Sequence, residues 1–487
     1  MTGTFDSLDP ASGEVVASFP EFDEPAVRAV AAAAGPASRW WGELGFAARR
    51  GRLQAWKASI TRRLDELAAL VHRENGKPVA DAQLEIVLAV EHIDWAARHA
   101  ARVLGPRRVR AGVLMANQSA RVEYHPYGVV GVIGPWNFPV FTPMGSLAYA
   151  LAAGNAVVFK PSEFTTAVGS WLVDRFAEVV PEHPVLALVT GAGGAGTALC
   201  TAVDKLAFTG SSATARRVMT ECARTLTPVV LECGGKDALV VDFDADVEAA
   251  ADAALWGGMS NAGQLCIGIE RVYAVEAVHD AFVAALSRRA ARVSAGVQYG
   301  PVTTPAQLEV IRRHVADALD RGGRAAVGGR SSVRAPYVDP IVLLDVPAEA
   351  EAMSEETFGP TLTVTRVRDA DEAVALVNGS RYGLGAAVFG TARAQQIAAR
   401  LRCGMVSINS VIAFAGVPGL PFGGVRESGF GRIHGDDGLR EFGWAQSMTR
   451  QRFGTSLALT TFDRRRGALA FTLRLTRLRH GGRRHRP

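Results

Sequence analysis

Cys266 is the residue of this chain whose neighbours best suit a nucleophile. It lies in Asn261-Ala-Gly-Gln-Leu-Cys-Ile-Gly268, where glycine and small polar residues favour a turn that exposes backbone N–H groups. A single cysteine is usually a small buried apolar residue, and we interpret Cys200, Cys222 and Cys403 in that way. The setting of Cys266 instead favours attack by a thiolate on an electrophilic carbon.

Two polar residues could complete such a site. Glu232 follows a predicted strand in Leu231-Glu-Cys-Gly-Gly-Lys236, and Asn137 lies in Pro135-Trp-Asn-Phe-Pro139. Taken singly, a glutamate at a strand end is commonly exposed, and an asparagine between aromatic residues commonly caps a turn. Together with a reactive cysteine they provide a general base and a donor for an oxyanion.

A nucleotide site is indicated by Lys160-Pro-Ser-Glu163 and Phe208-Thr-Gly-Ser211, each at the end of a predicted strand. Open parallel sheets bind ligands at the carboxyl ends of their strands. Lys160 could bind ribose hydroxyls or phosphate, while Gly210 and Ser211 could contact a pyrophosphate.

Residues 191–196 also match the pattern G-x-G-x-x-G after a strand. This match is open to a second interpretation as a tight turn, because the chain is rich in glycine and alanine. The acidic residue that a dinucleotide fingerprint places about 20 residues later is missing. A standard Rossmann dehydrogenase is therefore disfavoured.

The ordered motifs resemble those of the aldehyde dehydrogenase superfamily, from about residue 6 to residue 455. The motifs that carry the resemblance are Trp136-Asn-Phe, Lys160-Pro-Ser-Glu, Phe208-Thr-Gly-Ser, Glu232-x-Gly-Gly-Lys, Gly263-Gln-x-Cys, Glu356-Thr-Phe-Gly-Pro360 and Pro421-Phe-Gly-Gly424. The resemblance implies an α/β fold with a Rossmann-type nucleotide-binding domain, an α/β catalytic domain and a small β oligomerisation flap. It also implies a homodimer or homotetramer.

The same resemblance implies oxidation of an aldehyde to a carboxylic acid with NAD(P). Cys266 would form a thiohemiacetal and then a thioester, Asn137 and the Cys266 N–H would bind the oxyanion, and Glu232 would activate water for hydrolysis. The implied cofactor-binding residues are Lys160, Glu163, Gly210, Ser211, Glu356, Phe358 and Trp136.

Within that set, Lys160 and Glu163 would hold the adenosine ribose, Ser211 the pyrophosphate and Glu356 the nicotinamide ribose. Phe358 would pack by the nicotinamide, while Trp136 and Lys236 would mainly shape the site. The carboxylate of Glu163 would repel a 2′-phosphate, which favours NAD, with NADP as the alternative. No metal site is expected.

Three positions depart from the family pattern. Ala215 stands where a glycine is usual, so nucleotide affinity could differ, and Cys233 replaces a usual leucine beside Glu232 and adds a second thiol. The segment 294–301 is shorter than the usual loop.

Apolar residues are expected to line the substrate site, at Phe138, Trp256, Ile267 and residues 411–414. Gly268-Ile-Glu-Arg-Val-Tyr273 and the basic C-terminal extension resemble a bacterial subgroup of succinate-semialdehyde dehydrogenases. No convincing arginine pair for a substrate carboxylate accompanies them.

The elements that must position these residues alternate between strand and helix patterns. Residues 25–104 are predicted to be helical, and later apolar segments are typical of βαβ units with a mostly parallel sheet. We predict a nucleotide-binding domain at 1–108 and 127–233, a catalytic domain at 234–432, oligomerisation strands at 109–126 and 445–456, and a basic tail at 462–487. The paired glycines 234 and 235 suit a hinge.

Length and composition are those of a two-lobed globular enzyme. The 487 residues exceed what one core supports, and 48% hydrophobic with 21% charged residues exclude a wholly disordered chain. Five cysteines without a CxxC pair favour a reducing compartment and disfavour zinc. A signal-like N-terminus and a sufficiently long apolar run are both missing from the sequence, so a cytoplasmic protein is expected.

The positive charge of the chain is concentrated at its end. Residues 462–487 contain nine arginines and one aspartate, a net charge of +8, whereas the total is +5, so the remainder carries −3. Ala468, Leu469, Phe471, Leu475 and Leu478 could form the apolar side of a helix on an anionic membrane. A disordered tail is the alternative, and a nucleic-acid role is disfavoured. A non-enzymatic alternative for the whole chain is an inactive family-like scaffold whose tail docks on such a membrane.

Overall fold

The structure is a computed structural model that describes residues 3–454 and 459–482. The helices within these residues are α1 (Glu24–Glu43), α2 (Gly45–Arg62), α3 (Leu64–Asn75), α4 (Val79–Leu104), α5 (Phe141–Ala153), α6 (Thr166–Val179), α7 (Gly193–Cys200), α8 (Ser212–Ala223), α9 (Val247–Met259), α10 (Glu276–Ala290), α11 (Pro305–Asp320), α12 (Glu351–Ser354), α13 (Ala370–Asn378), α14 (Ala394–Ala398), α15 (Gly435–Glu441) and α16 (Ala468–His480). The predicted helical region before residue 104 is confirmed.

The strands of the described residues form two large sheets and three small ones. They are β1 (Gly3–Leu8), β2 (Val15–Glu21), β3 (Arg107–Val109), β4 (Gln118–Pro126), β5 (Val129–Ile133), β6 (Ala156–Lys160), β7 (Leu186–Leu188), β8 (Lys205–Thr209), β9 (Val229–Glu232), β10 (Asp237–Val241), β11 (Ile269–Val275), β12 (Arg324–Val327), β13 (Val333–Arg334), β14 (Tyr337–Val338), β15 (Ile341–Leu344), β16 (Thr361–Val367), β17 (Gly385–Phe389), β18 (Met405–Ile408), β19 (Gly429–Phe430) and β20 (Gly443–Gln451).

The first large sheet has the order β19-β9-β8-β5-β6-β7. Its strands from β9 to β7 are parallel, and only β19 runs antiparallel, beside β9. β6 is buried along its whole length, as expected for a parallel strand covered on both faces. α5, α6 and α8 pack against this sheet. The carboxyl ends of β5, β6, β8 and β9 therefore open on one edge.

The second large sheet has the order β12-β15-β16-β11-β10-β17-β18. All neighbouring pairs are parallel except β12 with β15. β10 and β11 are wholly buried and belong to a large apolar core with α9 and α10. The alternating α/β architecture that the sequence predicts is confirmed. Its division into a nucleotide-binding and a catalytic domain at residue 234 stays a prediction.

By its internal contacts the chain divides into a large unit (Met1–Val103 and Pro126–Gly443) and a small unit (Leu104–His125 and Trp444–Pro487). The small unit contains the three-stranded sheet β20-β4-β3 and α16. The predicted oligomerisation strands correspond to β4 and β20, although residues 455 and 456 lie outside the described residues. The same holds for residues 483–487 of the predicted tail. Within the described ranges, none of the helices is both long and apolar enough to cross a membrane.

Candidate active site

Every residue predicted to serve catalysis or cofactor binding lines a single cavity of about 740 Å³. The strand register explains this, because Ile133 lies opposite Lys160 in β5 and β6, and Thr209 lies opposite Glu232 in β8 and β9. The chain segments that follow these strand ends therefore face the same space. The predicted residues in the lining are Trp136, Asn137, Lys160, Glu163, Gly210, Ser211, Glu232, Cys266, Glu356 and Phe358.

Cys266 is carried by an unusual turn between α9 and β11. Asn261 and Ala262 have left-handed backbone conformations, with φ of 51° and 56°. This region is uncommon for residues other than glycine, and such strain is often found at functional sites. A side chain at Gly235 would collide with the carbonyl oxygen of Cys266, so this glycine allows the strand end before β10 to approach the nucleophile.

Asn137 is buried, and hydrogen bonds fix both its side-chain amide and its backbone carbonyl. Its side-chain Nδ2 donates to the carbonyl oxygen of Gln264 at 2.9 Å. Its own carbonyl oxygen accepts from Lys77 Nζ at 2.9 Å and from Asn261 Nδ2 at 3.1 Å. The second N–H of the amide remains available for a bound oxygen atom near Cys266, as an oxyanion donor requires.

Lys77 is a site residue that the sequence analysis missed. It is fully buried, forms an ion pair with Glu85 at 2.5 Å, and lies 3.8 Å from the centroid of the Phe138 ring. Glu85 also accepts the backbone N–H groups of Val140 and Phe141 at 2.7 and 3.0 Å. The rarity of lysine was an available signal, since this chain has five and two others lie in recognised motifs. The Lys77–Glu85 pair supports the loop that carries Asn137.

Glu232 ends β9 and is 3% exposed. Within the described residues, neither of its carboxylate oxygens has a hydrogen-bond partner. Burial raises its pKa well above the usual value, and the positive charge of Arg432 opposes this only in part. A side chain at Gly423 would lie 2.7 Å from Glu232 Oε1, so that glycine leaves room for the carboxyl. A buried, unpartnered carboxyl in a cavity has the features of a general base awaiting water.

Burial also raises the pKa of the Cys266 thiol, and the carboxyls of Glu356, Asp237 and Glu232 add to the effect. The thiol is therefore protonated at neutral pH in this state of the protein. The pKa of Glu356 is raised to about 8, first by burial and then by Glu270. Ionisation of the thiol consequently requires a nearby positive charge or transfer of its proton to a base.

Glu356 is held beside the nucleophile by backbone contacts. Its Oε1 accepts the N–H of Gly235 at 3.1 Å. The following residues Thr357 and Phe358 donate their backbone N–H groups to Glu270 at 2.9 Å each. Glu270 in turn forms a buried ion pair with Lys236. Lys236 is absent from the cavity lining and contacts the site through Glu270 and Thr357, and its predicted role in shaping the site stays a prediction.

The nucleotide part of the cavity contains a buried cation and a helix N-terminus. Lys160 Nζ lies 3.8 Å from Glu163 Oε2 and donates to the carbonyl oxygen of Pro161 at 3.1 Å. Ser211 caps α8 through its hydroxyl, which accepts the N–H of Thr214 at 3.3 Å. Residues 211–214 line the cavity, so the positive end of the α8 dipole faces it.

Residues 191–196 continue into the first turn of α7, and Gly193, Gly196 and Thr197 also line the cavity. The match to G-x-G-x-x-G is thus a strand-to-helix turn at the border of the site. Trp136 and Phe358 meet edge to face, with ring centroids 5.6 Å apart. This aromatic pair forms an apolar wall of the cavity.

The structure shows where Ala215 and Cys233, two departures from the family pattern, lie relative to the cavity. Ala215 is buried on the sheet-facing side of α8 with Val218 and Cys222 and is absent from the cavity lining, so its methyl group does not narrow the cavity. Cys233 is buried and lines the cavity, and burial raises its pKa to about 12. Its thiol is therefore protonated at neutral pH, as is that of Cys266 in this state of the protein.

Comparison with known proteins identifies the family. Residues 1–447 match the model described as "Aldehyde dehydrogenase family". The chain belongs to this family. It is 36% identical over 453 residues to 4,4'-diapolycopene aldehyde oxidase of Methylomonas sp, covering 91% of this chain and 85% of the relative. It is 33% identical over 449 residues to glutarate-semialdehyde dehydrogenase of Pseudomonas aeruginosa, covering 89% and 91%.

The fold likeness is equally extensive. The crystal structure of an NADP-dependent enzyme of E. coli superposes with a TM-score of 0.88 at 32% identity, covering 92% of this chain and 95% of that chain. The predicted family and fold class are therefore confirmed, and the protein is an aldehyde dehydrogenase family enzyme. The roles of the individual site residues stay predictions.

Proposed function

We propose that this enzyme oxidises an aldehyde to a carboxylic acid with NAD(P), through a thioester on Cys266 that water hydrolyses with Glu232 as base. The observation that carries the proposal is the convergence of Cys266, Asn137 and the unpartnered carboxyl of Glu232 on one cavity. An inactive scaffold would have no use for a buried, unpartnered acid beside a nucleophile, because such a group costs folding free energy. The scaffold alternative is therefore disfavoured.

The residues of the cavity fit a dinucleotide. The N-terminus of α8 offers backbone N–H groups to a pyrophosphate, and the Lys160 ammonium lies inside the cavity with one protein acceptor and a carboxylate nearby. Glu163 would accept hydroxyls of the adenosine ribose, and Glu356 those of the nicotinamide ribose. NAD(P), when bound, supplies the acceptor for the hydride that leaves the substrate.

Attack by the Cys266 sulfur on the aldehyde carbon gives a thiohemiacetal with a negatively charged oxygen. Asn137 Nδ2 and the Cys266 backbone N–H donate to this oxygen, and the bonds from Gln264, Lys77 and Asn261 keep the asparagine in place. Loss of one such donor typically costs about 2.7 to 4 kcal/mol of transition-state stabilisation. Departure of hydride then leaves a thioester.

Hydrolysis needs a base because water is a weak nucleophile. Glu232, in its ionised form, takes a proton from water as the oxygen attacks the thioester carbon. The C–S bond then breaks, the thiolate of Cys266 is released and the product is a carboxylic acid. Among the residues that the structure describes, neither oxygen of Glu232 has a hydrogen-bond partner, so both can hold this water.

NAD is proposed as the preferred cofactor and NADP as the alternative. Glu163 is half-buried, its Oε2 accepts from the Ser162 hydroxyl at 3.3 Å, and it is placed to accept ribose hydroxyls. A 2′-phosphate at that position would meet the negative charge of Glu163. The relation to an NADP-dependent enzyme shows that the alternative deserves measurement.

The small unit is proposed to mediate assembly into a homodimer or homotetramer. β3 and β20 are the outer strands of its three-stranded sheet, and a second copy of the chain could extend such a sheet edge. α16 would in addition contact an anionic membrane surface through its apolar and arginine side chains.

The direct test is turnover of an aldehyde panel with NAD⁺, followed by formation of reduced cofactor and identification of the acid product. Mass spectrometry of the trapped enzyme should locate an acyl adduct on Cys266. An adduct on Cys233, or turnover by Cys266→Ser at the wild-type rate, would refute the assignment of the nucleophile.

A further inference from the structure

The immediate surroundings of Cys266 are acidic. Glu232, Glu356 and Asp237 all place carboxyl groups close enough to raise the pKa of the thiol. Asp237 is buried, and its Oδ1 accepts the N–H of Gly385 at 2.9 Å. A substrate that carries a carboxylate near its aldehyde group would add another acid to a set in which burial already disfavours ionisation, since it raises the pKa of Glu356 to about 8 and that of Asp237 to about 7.

Lys77 and Lys236, two buried lysines that support the site, are already paired. Lys77 is bound to Glu85 and to the carbonyl oxygen of Asn137. Lys236 is bound to Glu270 and to the Thr357 hydroxyl. Removing either cation from its partner would leave a buried carboxylate uncompensated, which is costly. Neither is therefore available to a substrate.

Arg432 is a further cation whose charge reaches the site, in addition to Lys160, Arg216, Arg217 and Arg381 of the cavity lining, which contact Glu163, Glu427, Thr214 and Glu355 respectively. Its Nη1 donates to the carbonyl oxygens of Gly424 and Gly431 at 2.9 and 2.6 Å. Its positive charge already offsets that of Glu232, whose pKa it lowers. It is thus committed to the general base and to the backbone around it.

Three other chain segments near the nucleophile contain no ionisable side chain except cysteine and tyrosine. This holds for residues 133–159, 253–269 and 403–425. They contact one another or the site: Asn137 bonds to Gln264, a Cβ at Gly257 would lie 3.5 Å from Val411, and Gly423 backs Glu232. Where these three segments lie next to the nucleophile, they therefore surround it with uncharged residues.

Apolar side chains are also exposed next to these segments. We define the apolar rim as five side chains that are 44–61% exposed: Leu84 and Val87 of α4, Trp256 of α9, and Val417 and Leu420 of the loop between β18 and β19. Contacts connect its parts, because a Cβ at Gly416 would lie 3.8 Å from Leu88, and Val411 adjoins the residue after Trp256. Exposed apolar clusters commonly mark sites that bind apolar ligands or partners.

We propose that the substrate is an uncharged aldehyde whose apolar tail lies along the apolar rim, and that semialdehydes with a terminal carboxylate are poor substrates. This inference rests on the proposed function and names the substrate class of that same site. It distinguishes the chain from its glutarate-semialdehyde relative and from the succinate-semialdehyde subgroup that its sequence resembles.

The first test compares substrates that differ only in charge. kcat/KM is measured for succinate semialdehyde and for its methyl ester, and for straight-chain alkanals of increasing length. The ester is expected to exceed the acid by about a hundredfold, because the carboxylate would be desolvated without a partner. Each added methylene that reaches the rim is expected to raise kcat/KM by about fourfold.

A preference for the acid over its ester, or a series that does not rise with chain length, would overturn the substrate class alone. Failure to oxidise any aldehyde would instead refute the proposed function. The two failures are therefore distinguishable, since the first requires an active enzyme.

Two variants test where the apolar tail of the substrate binds. Trp256→Ser is expected to lower the ratio of long-chain to short-chain kcat/KM about tenfold, because it removes a large apolar surface from the rim. Leu376→Ser is the matched control, since this leucine is 40% exposed on α13 outside the rim, and it should leave the ratio unchanged. An unchanged ratio in Trp256→Ser, with or without a change in oligomeric state, would overturn the placement of the tail.

Discussion

Asn137 and Gln264 are joined by a hydrogen bond of 2.9 Å from the side-chain amide of one to the backbone carbonyl of the other. This bond links the loop after β5 of the first large sheet to the turn that carries Cys266, which leads into the second. The proposed oxyanion donor and the segment that carries the proposed nucleophile are thereby joined directly. Lys77 strengthens the link, because it holds the carbonyl oxygen of the same asparagine.

Glu232→Gln should separate the two halves of the reaction. A glutamine cannot take a proton from water, so the steady-state rate is expected to fall by at least about a hundredfold, while the first-turnover burst of reduced cofactor persists. Stopped-flow spectroscopy measures both phases. Equal steady-state rates in the variant and the wild type would refute the role of Glu232 as base.

The same residue predicts a pH dependence of activity. The pKa of Glu232 is raised by burial, and its ionised form is the active one, so activity should be lost as the pH falls through this raised value. The acid limb of the hydrolysis rate should therefore lie above the usual glutamate range of about 4.3. A limb at or below that value, measured under conditions in which hydrolysis limits turnover, would contradict the assignment.

Stability should respond in the opposite direction to activity. Because folding raises the pKa of Glu232, the folded state binds its proton more tightly than the unfolded state, and ionisation at neutral pH lowers the free energy of unfolding. Glu232→Gln removes this charge and should be more stable than wild type at neutral pH, with the difference shrinking in acid. Urea denaturation across pH provides the measurement.

Lys77→Met should destabilise the fold by about 3 to 5 kcal/mol, because it leaves the buried carboxylate of Glu85 without its partner. Combination with Glu85→Gln removes that charge as well and should recover part of the loss. Chemical denaturation of both variants tests this. A double variant less stable than Lys77→Met would show that the pair is not held by charge.

Glu163→Gln tests cofactor choice. Loss of the negative charge should reduce discrimination against a 2′-phosphate, so the ratio of kcat/KM for NAD to that for NADP is expected to fall about tenfold. The wild-type ratio itself should favour NAD. A wild-type preference for NADP would refute the proposed role of this carboxylate.

Membrane binding by the basic C-terminal tail, residues 462–487, can be tested separately. α16 contains Arg474, Arg477 and Arg479 with exposed Phe471 and Leu478, and each arginine near an anionic bilayer contributes about 1 kcal/mol. The full chain should co-sediment with vesicles rich in phosphatidylserine, whereas a chain ending at residue 461 should not. Vesicles of phosphatidylcholine are the control. Equal sedimentation of both chains would dismiss membrane contact through the tail.

Local sequence patterns predicted the strands that carry the site well. Short apolar runs bounded by turns predict strands at 205–209 and 405–408, and β8 and β18 have these bounds. Because the carboxyl ends of parallel strands lie on one edge of a sheet, the sequence predicts that the motifs after these strands lie close together. Their convergence on one cavity agrees with that expectation.

Local sequence patterns do not predict contacts between segments that are distant in the chain. Lys77 precedes Asn137 by 60 residues, and nothing in its local sequence specifies that its ammonium binds the asparagine carbonyl. β19 has only two residues and carries no strand pattern of its own. Its position depends on pairing with β9, which is determined by packing of the whole chain.

That pairing has a consequence for the order in which the site forms during synthesis. Gly429 lies opposite Glu232, and the carbonyl of Ser428 accepts the N–H of Cys233 at 3.0 Å. β9, which ends in the proposed general base Glu232, is thus covered on one side by residues that lie almost 200 positions later in the chain. A nascent chain can hold Asn137 and Cys266 long before this cover emerges from the ribosome. The surroundings of Glu232 are thus complete only after residues 428–430 have been made, later in the chain than every residue proposed for catalysis or cofactor binding.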